Sequence, residues 1–263
     1  MHIALNGKVA WITGGSEGIG RGIAELSAQC GAKVAITDRD REPLEKAARE
    51  IQALGGEALP VPADVSQHSE VEQALQQIIG KWGRLDFLCA NAGINGTWAP
   101  IDELSWEDWS TTLAVNLTGT YSTIHCSVPY MRAVGGGSII IMSSVNGTRM
   151  FSNVGASAYA TSKAGQLALG QMLALELAPS RIRVNVICPG AIVSHIHEKT
   201  QRENVEKIDV HVEYPDGKIP LTGGEMGSAK QVAQLAVFLA SDAATHITGT
   251  PIWIDGAQSL LQG

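Results

Sequence analysis

Residues 8–20 read KVAWITGGSEGIG, an apolar run of strand length that breaks into glycines and leads into RGIAELSAQCG (21–31), a segment of helical amphipathic spacing. Glycines in such a turn let a backbone approach a pyrophosphate closely. The helix start beyond them supplies free N–H groups and the positive end of a dipole. Gly14, Gly18 and Gly20 do not follow GxGxxG, so the cluster is weak evidence by itself, but strand, glycine turn and helix in one βαβ unit are more specific. The next apolar run, KVAIT (33–37), ends at Asp38, eighteen residues after Gly20. A carboxylate there would accept hydrogen bonds from adenosine ribose hydroxyls.

The same rhythm continues along the chain. LDFLCA (85–90), SIIIMS (138–143), RVNVIC (183–188) and PIWID (251–255) are continuous apolar runs, with a weaker one at Ala58 to Val61. Runs of this kind suit strands buried on both faces of a parallel sheet. Between them, EVEQALQQIIGKWG (70–83) and KAGQLALGQMLALELA (163–178) read as amphipathic helices, and Gly31 and Gly83 stand as helix stops. Repeated βα units with right-handed crossovers predict an α/β fold: one doubly wound sheet with helices on both faces, a single domain over 1–263. Ser194 to Ser228 breaks the rhythm with mixed charge and PDG and TGG turn signals. A long loop after a strand's carboxyl end reads as a substrate lid, holding a short helix or two.

Composition excludes several function classes. A net charge of −7 argues against nucleic-acid and anionic-membrane partners. No basic start precedes an apolar run, so neither a signal peptide nor a membrane span is expected, and the expected compartment is the cytoplasm. Cys30, Cys89, Cys126 and Cys188 lack CxxC spacing and read as buried free thiols. His195 and His197 have no cysteine or carboxylate in ligand spacing and read as a polar loop, so no metal is expected. Of the tryptophans, Trp98 reads as a wall of the pocket mouth, and Trp106 and Trp109 as core or subunit contacts.

Within SAYATSKAG (157–165), Tyr159 and Lys163 stand four apart. On a helix they are neighbours, and a cation beside a phenol favours the phenolate, which ordinarily forms near pH ~10. Taken together, TGxxxGxG at the first turn, NAG (91–93), Asn116 in VNLTG, the serine pair of IIMSSVNG, YxxxK and PG (189–190) resemble the short-chain dehydrogenase/reductase family over Gly7 to Gly256. That resemblance implies a Rossmann-type seven-stranded fold, a nicotinamide cofactor, and a homo-oligomer, a tetramer before a dimer, built through helix packing.

By the same resemblance, Tyr159 is the acid/base, and Lys163 lowers its pKa and holds the nicotinamide ribose. Ser144 binds the substrate oxygen, with Ser143 the weaker candidate. Asn116, through its helix backbone and a water, links Lys163 to solvent. Gly14, Ser16, Gly18, Ile19, Gly20 and Asp38 hold the dinucleotide. Asp64 and Val65 line the adenine; Asn91, Ala92 and Gly93 flank the cofactor; Pro189, Gly190 and Ile192 hold the carboxamide. The family's threonine beside the nicotinamide is replaced here by Ser194. A further departure is the fourteen-residue interval between Ser144 and Tyr159, two longer than is common in the family.

The expected activity is NAD-dependent hydride transfer between a secondary alcohol, small and polar or sugar-like, and its ketone. Asp38 and Glu17 both disfavour a 2′-phosphate, so NADP is the less favoured cofactor despite Arg39. The alternatives are an NADPH-dependent 3-oxoacyl thioester reductase and a catalytically silent dinucleotide-sensing module.

Overall fold

The computed structural model describes residues 3–194, 200–210 and 218–262. His195 and His197, singled out in the loop, lie outside the described residues. The chain alternates β1 (Val9–Thr13), α1 (Gly18–Gln29), β2 (Lys33–Thr37), α2 (Arg41–Ala53), β3 (Glu57–Pro60), α3 (His68–Trp82) and β4 (Phe87–Ala90). After a two-residue β5 (Thr97–Trp98) come α4 (Trp106–Leu113), a π turn at Ala114–Thr118, α5 (Gly119–Ala133), β6 (Gly137–Met142), α6 (Ser157–Leu177) and β7 (Ile182–Pro189). The last elements are β8 (Gln201–Arg202), α7 (Ala229–Ala240), β9 (Pro251–Ile254) and α8 (Gln258–Gln262).

Seven strands form one parallel sheet in the order β3-β2-β1-β4-β6-β7-β9. The two-residue periodicity of each strand divides its side chains between two cores. Ala10 and Ile12 of β1, with Ile140 and Met142 of β6, face α1, α2 and α7. Val9 and Trp11, with Ile139 and Ile141, face α3, α5 and α6. This double burial is why the strands read as unbroken apolar runs. The predicted helix stops hold: Gly83 caps α3 with a φ of 73°, and Gly31 follows α1 with a φ of 91°. A Ser228–Gln231 capping box starts α7.

Some expectations need correction. Trp106 is 82 % exposed, so of the two roles expected for it the core one is overturned. All four cysteines are free, but Cys30 and Cys126 are only partly buried. Among the described residues, the segment after Ser194 holds two 3₁₀ turns, Val205–Lys207 and Pro220–Thr222. Its β8 pairs with β5, which the sequence pattern did not announce.

Strand order reverses between β1 and β4, since the chain runs outward to β3 before returning. Such a reversal opens a crevice at the carboxyl ends of the strands. Every expected site residue follows or borders one of those ends, or lies on a helix or loop packed against them.

Candidate active site

At the reversal point, Thr13 and Asn91 lock the ends of β1 and β4 together. Asn91 Nδ2 donates to the Thr13 carbonyl at 2.9 Å and to the Gly14 carbonyl at 3.2 Å, while Thr13 Oγ1 accepts from the N–H groups of Asn91 and Ala92 at 3.0 and 3.1 Å. Gly14 and Gly18 have φ values of 65° and 57°, which disfavour any side chain. At Gly20 a Cβ would stand 2.0 Å from the Gly14 carbonyl oxygen, so the helix start and the strand end approach as closely as only glycine permits. No side chain caps α1 and no acidic residue sits in its first turn, which leaves its N–H groups for an anion. Ile19 packs against the core beneath the turn.

Asp38, at the end of β2, reaches across to this turn. Its carboxylate accepts from the Ser16 N–H at 3.4 Å, from the Ser16 hydroxyl, and from the Arg39 N–H at 2.9 Å. The Arg39 side chain points elsewhere, 3.7 Å from Asp40 and largely exposed. Asp64 accepts from the Ser66 N–H at 2.9 Å, and Val65 is buried against Gly119. Ser194 comes back to the turn: a Cβ on Gly18 would lie 3.6 Å from that of Ser194. Pro189 ends β7, Gly190 donates to the Ile254 carbonyl at 3.1 Å, and Ile192 is buried and bridged to Gly227. The glycine cradle, the uncapped helix and the aspartate together fit a dinucleotide.

Beside the cradle, α6 carries Tyr159 and Lys163 into the protein, 9 % and 4 % exposed. Lys163 Nζ donates to the Met142 carbonyl at 2.9 Å and lies 5.5 Å from the centroid of the Tyr159 ring. Burial pushes the Lys163 ammonium down to about 8, with Cys188 pulling the other way. Burial also pushes the Tyr159 phenol up, opposed by a hydrogen bond with Ser144. The spacing in the sequence led to the expectation that Lys163 makes this phenol more acidic. In this arrangement burial raises the phenol instead, and the lysine ammonium is turned to Met142. Ser144 Oγ accepts from the Asn146 N–H at 3.1 Å, whereas Ser143 Oγ donates to the Lys163 carbonyl at 2.8 Å. Ser144 therefore faces the phenol and Ser143 braces the helix.

Asn116 is fully buried in the π turn, a helical irregularity frequent at functional sites. Its side chain donates to the Ile94 carbonyl at 2.9 Å and to Ser162 Oγ at 3.0 Å, and accepts from the Ile94 N–H at 2.8 Å. At Gly93 a Cβ would lie 3.2 Å from Asn116 Oδ1 and 3.5 Å from Lys163 Nζ. The NAG loop, the π turn and α6 thus meet at one point. Thr13, Ser162, Thr120 and Gln166 belong to this framework and were not singled out from sequence. The signal for Gln166 was a polar residue three positions after Lys163, on the helix face that turns inward.

A family model described as enoyl-(acyl carrier protein) reductase matches residues 14–257. The chain belongs to the short-chain dehydrogenase/reductase family. It is 37 % identical to the 3-oxoacyl-[acyl-carrier-protein] reductase of Thermotoga maritima, covering 96 % of this chain and 98 % of that one. It is 35 % identical to the cyclohexanol dehydrogenase of an Acinetobacter species, covering 98 % and 97 %. Among solved structures, a 3-ketoacyl-ACP reductase from Sinorhizobium meliloti superposes with a TM-score of 0.91 at 46 % identity, covering 96 % of this chain and 99 % of that chain. A 3-ketoacyl-(acyl-carrier-protein) reductase from Brucella melitensis complexed with NADH gives 0.86 at 31 % identity, covering 97 % and 100 %. As a member of this family the chain is a nicotinamide-dependent oxidoreductase, and its seven-stranded Rossmann-type fold is the one expected from sequence. No helix among the described residues is long and apolar enough to cross a membrane.

Proposed function

We propose that this chain is an NAD-linked dehydrogenase that interconverts a secondary alcohol and its ketone. The observation that carries the reading is the buried meeting of Tyr159 with Ser144 beside the glycine cradle. A nicotinamide dinucleotide, when bound, supplies the hydride acceptor or donor. Tyr159 removes the alcohol proton in oxidation and returns it in reduction, and Ser144 donates a hydrogen bond to the substrate oxygen as charge develops there. Lys163 supplies positive charge behind the phenol. Gly14, Ser16, Gly18, Ile19, Gly20, Asp64, Val65, Asn91, Ala92, Gly93, Pro189, Gly190, Ile192 and Ser194 would hold the cofactor. Asp38, turned to the glycine turn with Arg39 pointing away, supports NAD over NADP.

A second reading is reduction of a 3-oxoacyl thioester, supported by the 46 % identity to the 3-ketoacyl-ACP reductase of Sinorhizobium meliloti. Absorbance of the reduced nicotinamide, followed with NAD and NADP against alcohols, polyols, ketones and a 3-oxoacyl thioester, separates the two. Turnover of polar alcohols with NAD supports the first; exclusive turnover of the thioester supports the second. Met172 and Leu175 of α6 and Tyr121 of α5 are exposed apolar residues, which supports a homo-oligomer built through these helices. Light scattering tests it.

A further inference from the structure

Gln166 follows Lys163 by one turn on α6 and is fully buried. Its Nε2 donates to the main-chain carbonyl of Asn116 at 2.7 Å and to Thr120 Oγ1 at 2.8 Å. Thr120 Oγ1 donates to the same carbonyl at 2.7 Å. That carbonyl oxygen thus accepts from two side chains. The family resemblance gives Lys163 a link to solvent through the helix backbone at Asn116 and a water.

Gln166 Oε1 is buried and has no hydrogen-bond partner. A buried amide oxygen is costly to leave unpaired and marks a place for a donor. Residues three apart on a helix are neighbours, and an ammonium has three N–H groups, of which Lys163 commits one to Met142. Both side chains converge on Asn116: Gln166 on its carbonyl, Lys163 beside its Oδ1 across Gly93.

We propose that Gln166 is a positioning residue for Lys163: its amide nitrogen holds the Asn116 turn, and its Oε1 accepts from the Lys163 ammonium through one bridging water. This rests on the roles of Tyr159 and Lys163 proposed above. The other ionisable groups at Lys163 are Tyr159 on its own helix and Cys188 of β7, with Arg149 next to Cys188. The π turn and the NAG loop contribute none. Removing the acceptor disfavours the charged lysine and moves its ionisation to lower pH, so less positive charge stands behind the phenol at neutral pH.

The test compares wild type with Gln166→Leu and Gln166→Met. Oxidation of the alcohol that turns over fastest is followed from about pH 6 to about pH 10, alongside NMR titration of ¹³Cε-labelled lysine. The Lys163 signal is identified by its loss in Lys163→Met. The expected result is a kcat lower by about tenfold or more, a KM for NAD within about twofold, and a shift of the Lys163 midpoint to lower pH. An unchanged Lys163 midpoint overturns the proposal, including the case where kcat falls only together with thermal stability. If neither variant folds, a high-resolution crystal structure of the wild type decides. A water shared by Gln166 Oε1 and Lys163 Nζ supports the proposal, and any other arrangement at Oε1 overturns it. A shifted Lys163 midpoint in a protein that oxidises no alcohol keeps this proposal and removes the dehydrogenase reading, so the two failures are distinct.

Discussion

Lys163 donates its ammonium to the carbonyl of Met142 at 2.9 Å, from a helix that packs over the end of β6, just before Ser143 and Ser144. One hydrogen bond does not offset the burial of the charge, and the lysine falls from its ordinary 10.5 to about 8. The folded state therefore holds this proton less tightly than the unfolded state. The destabilisation is fully present below pH 8 and is lost between pH 8 and 10.5 as the lysine becomes neutral in both states. In Lys163→Met that pH dependence disappears. Urea unfolding of both proteins across this range is expected to show wild type gaining on the variant by roughly 3 kcal/mol, at about 1.4 kcal/mol per pK unit. Parallel pH curves would mean the lysine is not buried charged.

Tyr159→Phe removes the phenol oxygen and leaves the ring in its buried place. Turnover is expected to fall by a factor on the order of 10² to 10⁴, the usual worth of a positioned acid or base. NADH affinity, measured by fluorescence titration, is expected to stay within about twofold, since the cradle is untouched. Retained turnover would exclude Tyr159 as the proton carrier.

The parts of this molecule legible in its sequence are those set by local pattern. VAWI and IIIM are apolar throughout because both faces of their strands are buried, and that property needs no knowledge of neighbours. The glycine turn is legible for the same reason: Gly20 is required by a clash with Gly14, six positions away. The pairing of β5 with β8 joins Thr97 to Gln201 across a hundred residues, and two-residue strands carry no periodicity. The direction of the Tyr159 shift is not legible, because spacing gives the distance to Lys163 but not the depth of burial or the partner the lysine chooses.

Among the described residues, Glu103 is one of the groups that tie the loop after Ser194 to the body. Glu103 accepts from Lys207 Nζ at 2.6 Å and from Asn204 Nδ2 at 2.7 Å, while the Arg202 guanidinium lies over Trp98, 5.0 Å from its ring centroid. If this loop closes over substrate, Glu103→Ala weakens closure without touching the cradle. Its KM for the alcohol is expected to rise several-fold, with the KM for NAD unchanged. Steady-state kinetics with each substrate varied in turn measures this. Equal KM values for the alcohol would leave the loop without a part in binding.

Cofactor choice turns on Asp38 and its neighbours. The carboxylate is fixed by the N–H groups of Ser16 and Arg39 and by the Ser16 hydroxyl, at the end of β2 where the adenosine ribose is expected. A ribose with free hydroxyls can donate to it, whereas a 2′-phosphate would bring like charge to a group held in place, a juxtaposition that costs several kcal/mol. Arg39, drawn to Asp40 at 3.7 Å, is not arranged to compensate. Wild type is therefore expected to have a higher kcat/KM for NAD than for NADP. Asp38→Ser keeps a short hydrogen-bonding side chain, removes the charge and leaves Arg39 able to swing to the phosphate. Its preference is expected to narrow by about 10²-fold or more, most of it through weaker NAD binding and admitted NADP. Measuring kcat/KM for both cofactors in both proteins decides the matter: a wild type that prefers NADP would reverse the assignment of Asp38 and favour the thioester-reductase reading.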